Sequence, residues 1–125
     1  MKKLIVSLLL IMSICTGAFA ATTSVQPPIS VGTYVDFNHE VRLQWKPVPG
    51  AVAYKVYLAQ GYNAKTGFKL QYTLKNYSLI YDGRQYWIIS YVSTPKISWD
   101  TIRVTSIDKY GHESIPCVTN VNVWR

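Results

Sequence analysis

The chain has 125 residues, 49% of them hydrophobic and 15% charged, with a formal charge of +7 and two cysteines. That length holds one domain around one core and leaves no room for a second, and two cysteines exclude a disulfide-stapled scaffold. The basic balance suits anionic partners, but the lysines of the mature part stand singly along the chain and never form a run, so a nucleic-acid binder is not expected.

Lys2 and Lys3 give a positive start, Leu4 to Ile14 form a short apolar run, and Ala18-Phe19-Ala20 closes it with small residues at the positions a signal peptidase reads. Residues 1–20 are therefore expected to be a signal peptide cut after Ala20, and the run is too short to span a bilayer with certainty. Membrane contact is expected only through an uncleaved leader. Cys15 follows Ile14, where a lipobox needs a small residue, which argues against lipidation. The paired-lysine start resembles bacterial export signals, and a secreted or periplasmic location follows from it. Cleavage leaves 105 residues, Ala21 to Arg125, and removal of Lys2 and Lys3 lowers the charge to +5. Cys117 is then a single thiol without an intramolecular partner. It shares parity with Thr119, Val121 and Val123 and is expected to point inward as a small hydrophobe.

Residues 21–28 are polar, end in Pro27-Pro28 and read as a linker into a domain over 29–125. Ile29 to Phe37 supplies a first edge strand, and Asp36 to Glu40 a turn. Val41, Leu43 and Trp45 alternate with Arg42, Gln44 and Lys46, the pattern of a half-buried strand. Pro47 and Pro49 lack an N–H and Gly50 is free to turn, so the strand ends in a corner. Tyr54, Val56 and Leu58 alternate again. After a glycine-bounded loop over 61–67, Phe68, Leu70, Tyr72 and Leu74 alternate with Lys69, Gln71, Thr73 and Lys75, one apolar face against one wet face. At Asn76 the pattern slips and resumes as Tyr77, Leu79 and Tyr81, which a bulge within a single bent strand explains.

Asp82-Gly83 supplies the positive φ angles of a two-residue hairpin turn. Tyr86 to Val92 is apolar on both faces and reads as a central or doubly covered strand. Trp99 to Asp108 and Ser114 to Trp124 complete the set, separated by a turn over Lys109 to Glu113. No apolar recurrence at helical spacing extends over ten residues. Strands about 10–15 residues apart with turn chemistry between them indicate an all-β, two-sheet antiparallel sandwich of about seven strands.

Leu43-x-Trp45, the proline corner, Tyr54-x-Val56-Tyr57 and Val104-x-Ser106-Ile107-Asp108-x-x-Gly111-x-Glu113-Ser114 together resemble a fibronectin type III domain, an immunoglobulin-like β-sandwich, over roughly Pro28 to Arg125. The resemblance implies a non-enzymatic interaction module. Two departures stand out: Asp100 occupies the place where that family opens its sixth strand with a tyrosine, and the span from Leu74 to Trp99 is longer than usual.

Chemistry-bearing patterns are sparse. His39-Glu40 and His112-Glu113 suggest a metal site, but zinc needs three or four converging ligands. The inferred topology puts the pairs at opposite ends of strands of roughly seven residues at about 3.3 Å each. Both pairs are read as solvated turn residues. No G-x-S-x-G elbow, P-loop or dinucleotide glycine pattern occurs, so neither catalytic residues nor a cofactor are expected. Ten tyrosines and four tryptophans exceed what one small core needs. Trp45, Tyr54 and Tyr72 are assigned to the core. Tyr81, Arg84, Tyr86, Tyr110 and His112 flank turns placed at one end of the sandwich and form the candidate binding surface. The expected partner is a protein or a cell-envelope glycan. A carbohydrate-binding module, with aromatic rings stacking on sugars, is the alternative, and self-association through an edge strand a third reading.

Overall fold

A computed structural model of the chain describes residues 25–35, 40–75, 77–94 and 98–123. The expected leader and its cleavage point, His39 with most of the turn around it, and the break at Pro95 and Lys96 lie outside the described residues. Eight strands are present: β1 (Gly32–Val35), β2 (Glu40–Trp45), β3 (Ala51–Gln60), β4 (Lys69–Leu74), β5 (Leu79–Tyr81), β6 (Tyr86–Ser93), β7 (Trp99–Asp108) and β8 (Cys117–Asn122). They form two four-stranded antiparallel sheets, ordered β1-β2-β6-β5 and β4-β3-β7-β8. The all-β sandwich is as the sequence indicates, with eight strands in place of about seven.

The core follows the two-residue period of the strands. Val41, Leu43 and Trp45 on β2, Tyr54, Val56 and Leu58 on β3, Ile88 and Val92 on β6, and Ile102 and Val104 on β7 are all buried between the sheets. Trp45 and Tyr54, both without solvent exposure, meet edge to face with ring centroids 5.3 Å apart, and Tyr54 meets Tyr77 the same way at 5.4 Å. This geometry suits the ring quadrupoles. The Tyr54 hydroxyl also accepts the Val48 N–H at 2.9 Å, which ties the proline corner to the core. Tyr72 on β4 and Ser90 on β6 share a hydrogen bond across the sandwich.

The bent single strand over Phe68–Tyr81 is not what forms. β4 pairs with β3 in one sheet and β5 with β6 in the other. The chain changes layers between Leu74 and Leu79 while keeping its direction, since both segments run antiparallel to strands that point the same way. A single pass between the ends thus feeds both sheets. Asn76 itself lies outside the described residues, and the change of layer between Leu74 and Leu79 replaces the single bent strand expected.

A register shift does occur earlier. Tyr72 faces Val56, but Leu70 faces Tyr57, so Gln71 is an extra residue on β4. The shift turns Leu70 to the outside of its sheet, where it is half exposed. Phe68 lies under the Arg103 guanidinium, 3.8 Å from its ring centroid. The expected single apolar face of Phe68, Leu70, Tyr72 and Leu74 is therefore split, with only Tyr72 and Leu74 packed against the core.

β6 is interior to its sheet, between β2 and β5, as its apolar character suggested. Cys117 points inward and is fully buried. It is not the lone thiol expected: it is disulfide-bonded, and the chain's other cysteine, Cys15, lies outside the described residues.

Candidate functional site

Pairing registers place three connections at one end of the sandwich. Trp45 faces Ile88 where β2 enters the proline corner, Ala51 faces Asp108 where β3 leaves it, and Tyr81 faces Tyr86 across the β5–β6 hairpin. The corner, the hairpin loop and the β7–β8 turn thus share one end, as the sequence indicated.

The Asp82 N–H donates to the Gln85 carbonyl at 3.2 Å, so the hairpin turns over two residues, Gly83 and Arg84. Gly83 alone has a positive φ, +92°, so the bend falls on Gly83 and Arg84, one position later than the Asp82-Gly83 expected. Asp82 builds it: Oδ1 accepts the backbone N–H groups of Arg84 and Gln85 at 2.9 and 3.0 Å, and Oδ2 accepts the Trp87 indole N–H at 2.7 Å. That indole donor, with the Gln85 and Arg84 amides, holds the Asp82 carboxyl below its ordinary range. The rings of Tyr81 and Tyr86 pack with centroids 4.9 Å apart, and both are more than half exposed.

The β7–β8 turn repeats the device. Asp108 Oδ1 accepts the N–H groups of Tyr110 and His112, both at 2.9 Å, and Oδ2 lies 3.1 Å from His112 Nδ1. Partial desolvation pushes the Asp108 carboxyl up, but the donors from His112 and Tyr110 outweigh it and the net shift is downward. Gly111 takes φ +85° to close the turn. Tyr110 is 73% exposed, with the Lys109 ammonium 5.2 Å from its ring centroid. A groove of about 440 Å³ runs between this turn and the corner, lined by Val25, Gly50, Val52, Asp108, Lys109 and Tyr110. The five candidate residues therefore fall into two groups, Tyr81, Arg84 and Tyr86 on the hairpin and Tyr110 and His112 on the turn. Among the described residues no ring contact or hydrogen bond joins them.

Glu113 is not the solvated turn residue expected. Its Oε2 accepts the Tyr57 hydroxyl at 2.6 Å and the Thr105 hydroxyl at 2.7 Å, and Oε1 lies 3.7 Å from Lys55 Nζ. Desolvation, then the Glu113 carboxylate, pushes the Tyr57 phenol up to about 12. A second feature is Tyr62 against Trp99 at the opposite end, centroids 4.8 Å apart and both rings exposed. Thr101 holds that loop by donating to the Gly61 carbonyl at 2.7 Å and accepting from Ala64 N–H at 2.8 Å. These contacts join residues 37 and 40 positions apart, which no local pattern announces. Among the described residues no three His, Cys, Asp or Glu side chains converge as a metal site would require.

No protein-family model matches the chain. No curated protein matches it in sequence. Among solved structures it is similar to a domain described as FN3tt mut, with a TM-score of 0.61 and 16% identity over 82% of this chain and 100% of that one. At that identity the likeness establishes the fold, which is fibronectin type III-like.

Proposed function

We propose that the chain is an exported, non-enzymatic interaction module that binds a protein partner through the connections at the corner end of the sandwich. One observation carries this reading. The hairpin loop and the β7–β8 turn each have a backbone fixed by an aspartate that takes three donors, and exposed tyrosine rings pack beside them, Tyr81 on Tyr86 and Tyr110 beside His112. Rings held in place lose little conformational freedom on binding, which suits them to interface anchors.

A photo-reactive phenylalanine analogue placed at position 81 or 110 tests it, with position 62 at the opposite end as control. In the native envelope fraction, positions 81 and 110 should cross-link one common protein that position 62 does not. Its capture should fall at least tenfold in Tyr81→Ala and Tyr110→Ala. Equal labelling from position 62, or capture unchanged in both variants, overturns the site. Export is checked separately: N-terminal sequencing should give Ala21, and a secreted form starting at Met1 refutes the leader.

A further inference from the structure

The outer face of the first sheet is distinct from the corner-end surface and carries a second arrangement of fixed side chains. Tyr34, Arg42 and Tyr91 lie in one row across β1, β2 and β6, and Gly32, Gln44 and Ile89 in the next. Trp87 and Ile80 are paired beyond them. Tyr34, Ile80 and Tyr91 are each about half exposed. Within this face lies a groove of about 190 Å³ lined by Ser30, Gly32, Tyr34, Gln44, Lys46 and Trp87. Its floor is open because Gly32 has no side chain, and a Cβ there would sit 3.7 Å from the Tyr34 ring.

The walls are held in advance. The Trp87 indole is locked by its bond to Asp82. Arg42 lies 5.7 Å from the Tyr34 ring centroid and donates from Nη2 to Gln44 Oε1 at 3.0 Å. That bond leaves the Gln44 amide N–H₂ to donate elsewhere. Lys46 is exposed and lines the groove without an ion pair among the described residues, and no acidic side chain lines it. Arg42 Nε is buried with no partner.

We propose that this groove binds a single sugar ring of an acidic polysaccharide, a pyranose bearing a carboxylate. The volume is below the roughly 300–1,000 Å³ that encloses a drug-sized ligand, so one ring fits and a folded segment does not. The C–H face of a pyranose is apolar and weakly positive, and it stacks on the electron-rich face of an indole. The Gln44 amide and the Ser30 and Tyr34 hydroxyls supply the mixed donors and acceptors that ring hydroxyls need. Lys46 in the groove wall, with Arg42 in the neighbouring row, supplies the charge that favours a uronic acid over a neutral hexose. This site is independent of the corner-end reading, which can fail without affecting it.

The test is a titration of the isotope-labelled full-length chain with tetragalacturonate at low salt, with maltotetraose and free galacturonate alongside, read from amide and indole N–H resonances. Tetragalacturonate should shift Gly32, Gln44 and the Trp87 indole, and affinity should fall at least fivefold from low to high salt. Lys46→Gln should weaken tetragalacturonate at least fivefold and maltotetraose less than twofold. Gly32→Leu, which fills the floor while leaving Trp87 in place, should abolish binding with the rest of the spectrum unchanged. Trp87→Ala should also abolish binding, with further spectral changes confined to the Asp82 loop that its indole bonds. Maltotetraose binding as tightly as tetragalacturonate overturns the acidic assignment. Shifts confined to Tyr81, Tyr86 and Tyr110, binding unaffected by Gly32→Leu, or no saccharide shift while a protein cross-links from position 87 overturns the groove as a sugar site.

Discussion

At the corner end of the sandwich, Asp82 and Asp108 each sit in an exposed turn, take three donors and hold their carboxyls below the ordinary range. Near the opposite end Asp100, facing Gln60 across the sheet, is 1% exposed, and neither carboxyl oxygen has a partner. Its pKa is raised by desolvation. The same side chain thus organises one end and burdens the other. A carboxylate helps where N–H groups converge on it, because they replace lost water, and costs stability where burial offers none. The corner end is also where the large rings Trp45, Tyr54 and Tyr77 interlock, so the aromatic cluster and the two aspartate-capped turns lie together.

Four measurements would sharpen or break that contrast. The largest effect should come from Trp45→Ala, which empties the aromatic cluster and should cost about 3–5 kcal/mol in urea unfolding; a loss under about 1 kcal/mol would show that the packing is not concentrated there. Asp100→Asn comes next. The folded carboxyl holds its proton to a higher pH than the unfolded one. Its penalty is absent below the unfolded value and grows as pH rises through the folded value. The variant should therefore be more stable than the parent by about 1–3 kcal/mol at neutral pH, with the gain vanishing near pH 3. A neutral-pH loss would mean that the carboxylate is paired after all.

Gly111→Ala forces a side chain into positive φ and should cost about 1 kcal/mol in thermal or urea unfolding, with no change in the Asp100 effect. The smallest change is expected from the pair Asp82→Asn and Asp108→Asn. Both carboxyls have lowered folded pKa values, so their stabilisation is present above the unfolded value and lost as pH falls through the folded one. Acid unfolding profiles should be flatter in the double variant than in the parent. An identical slope would show that the turn aspartates act only as acceptors and not as charges.

The period of two along Val41–Trp45 and Tyr54–Leu58 was legible because each strand faces the core on one side for its whole length. The proline corner and the shared end of the three connections were legible for the same reason: strand direction follows from counting reversals. The layer change between Leu74 and Leu79 was not, because a chain that crosses sheets without reversing leaves the count unchanged. The extra residue at Gln71 was hidden because Phe68 and Leu70 are apolar and read as core, whereas Phe68 serves as a platform for Arg103. Asp82-Gly83 announces a turn but not its register, since the Asp82 side chain caps the loop and the bend falls on Gly83 and Arg84. Asp100 stands out in the sequence only as a departure from a family pattern. The bonds of Glu113 to Tyr57 and Thr105 span two strands and a turn, and no spacing rule contains them.

The extra residue on β4 has a bearing on how copies of this protein meet one another. β4 is the outermost strand of its sheet, a row of amides that another extended chain can extend by templating. A kink there spoils the regular ladder such a newcomer would copy, and Lys69, opposite the inward-facing Leu58, sets an ammonium where an added layer would need to be dry. The irregularity that disguises the strand's two faces thus also disfavours fibre growth through that margin.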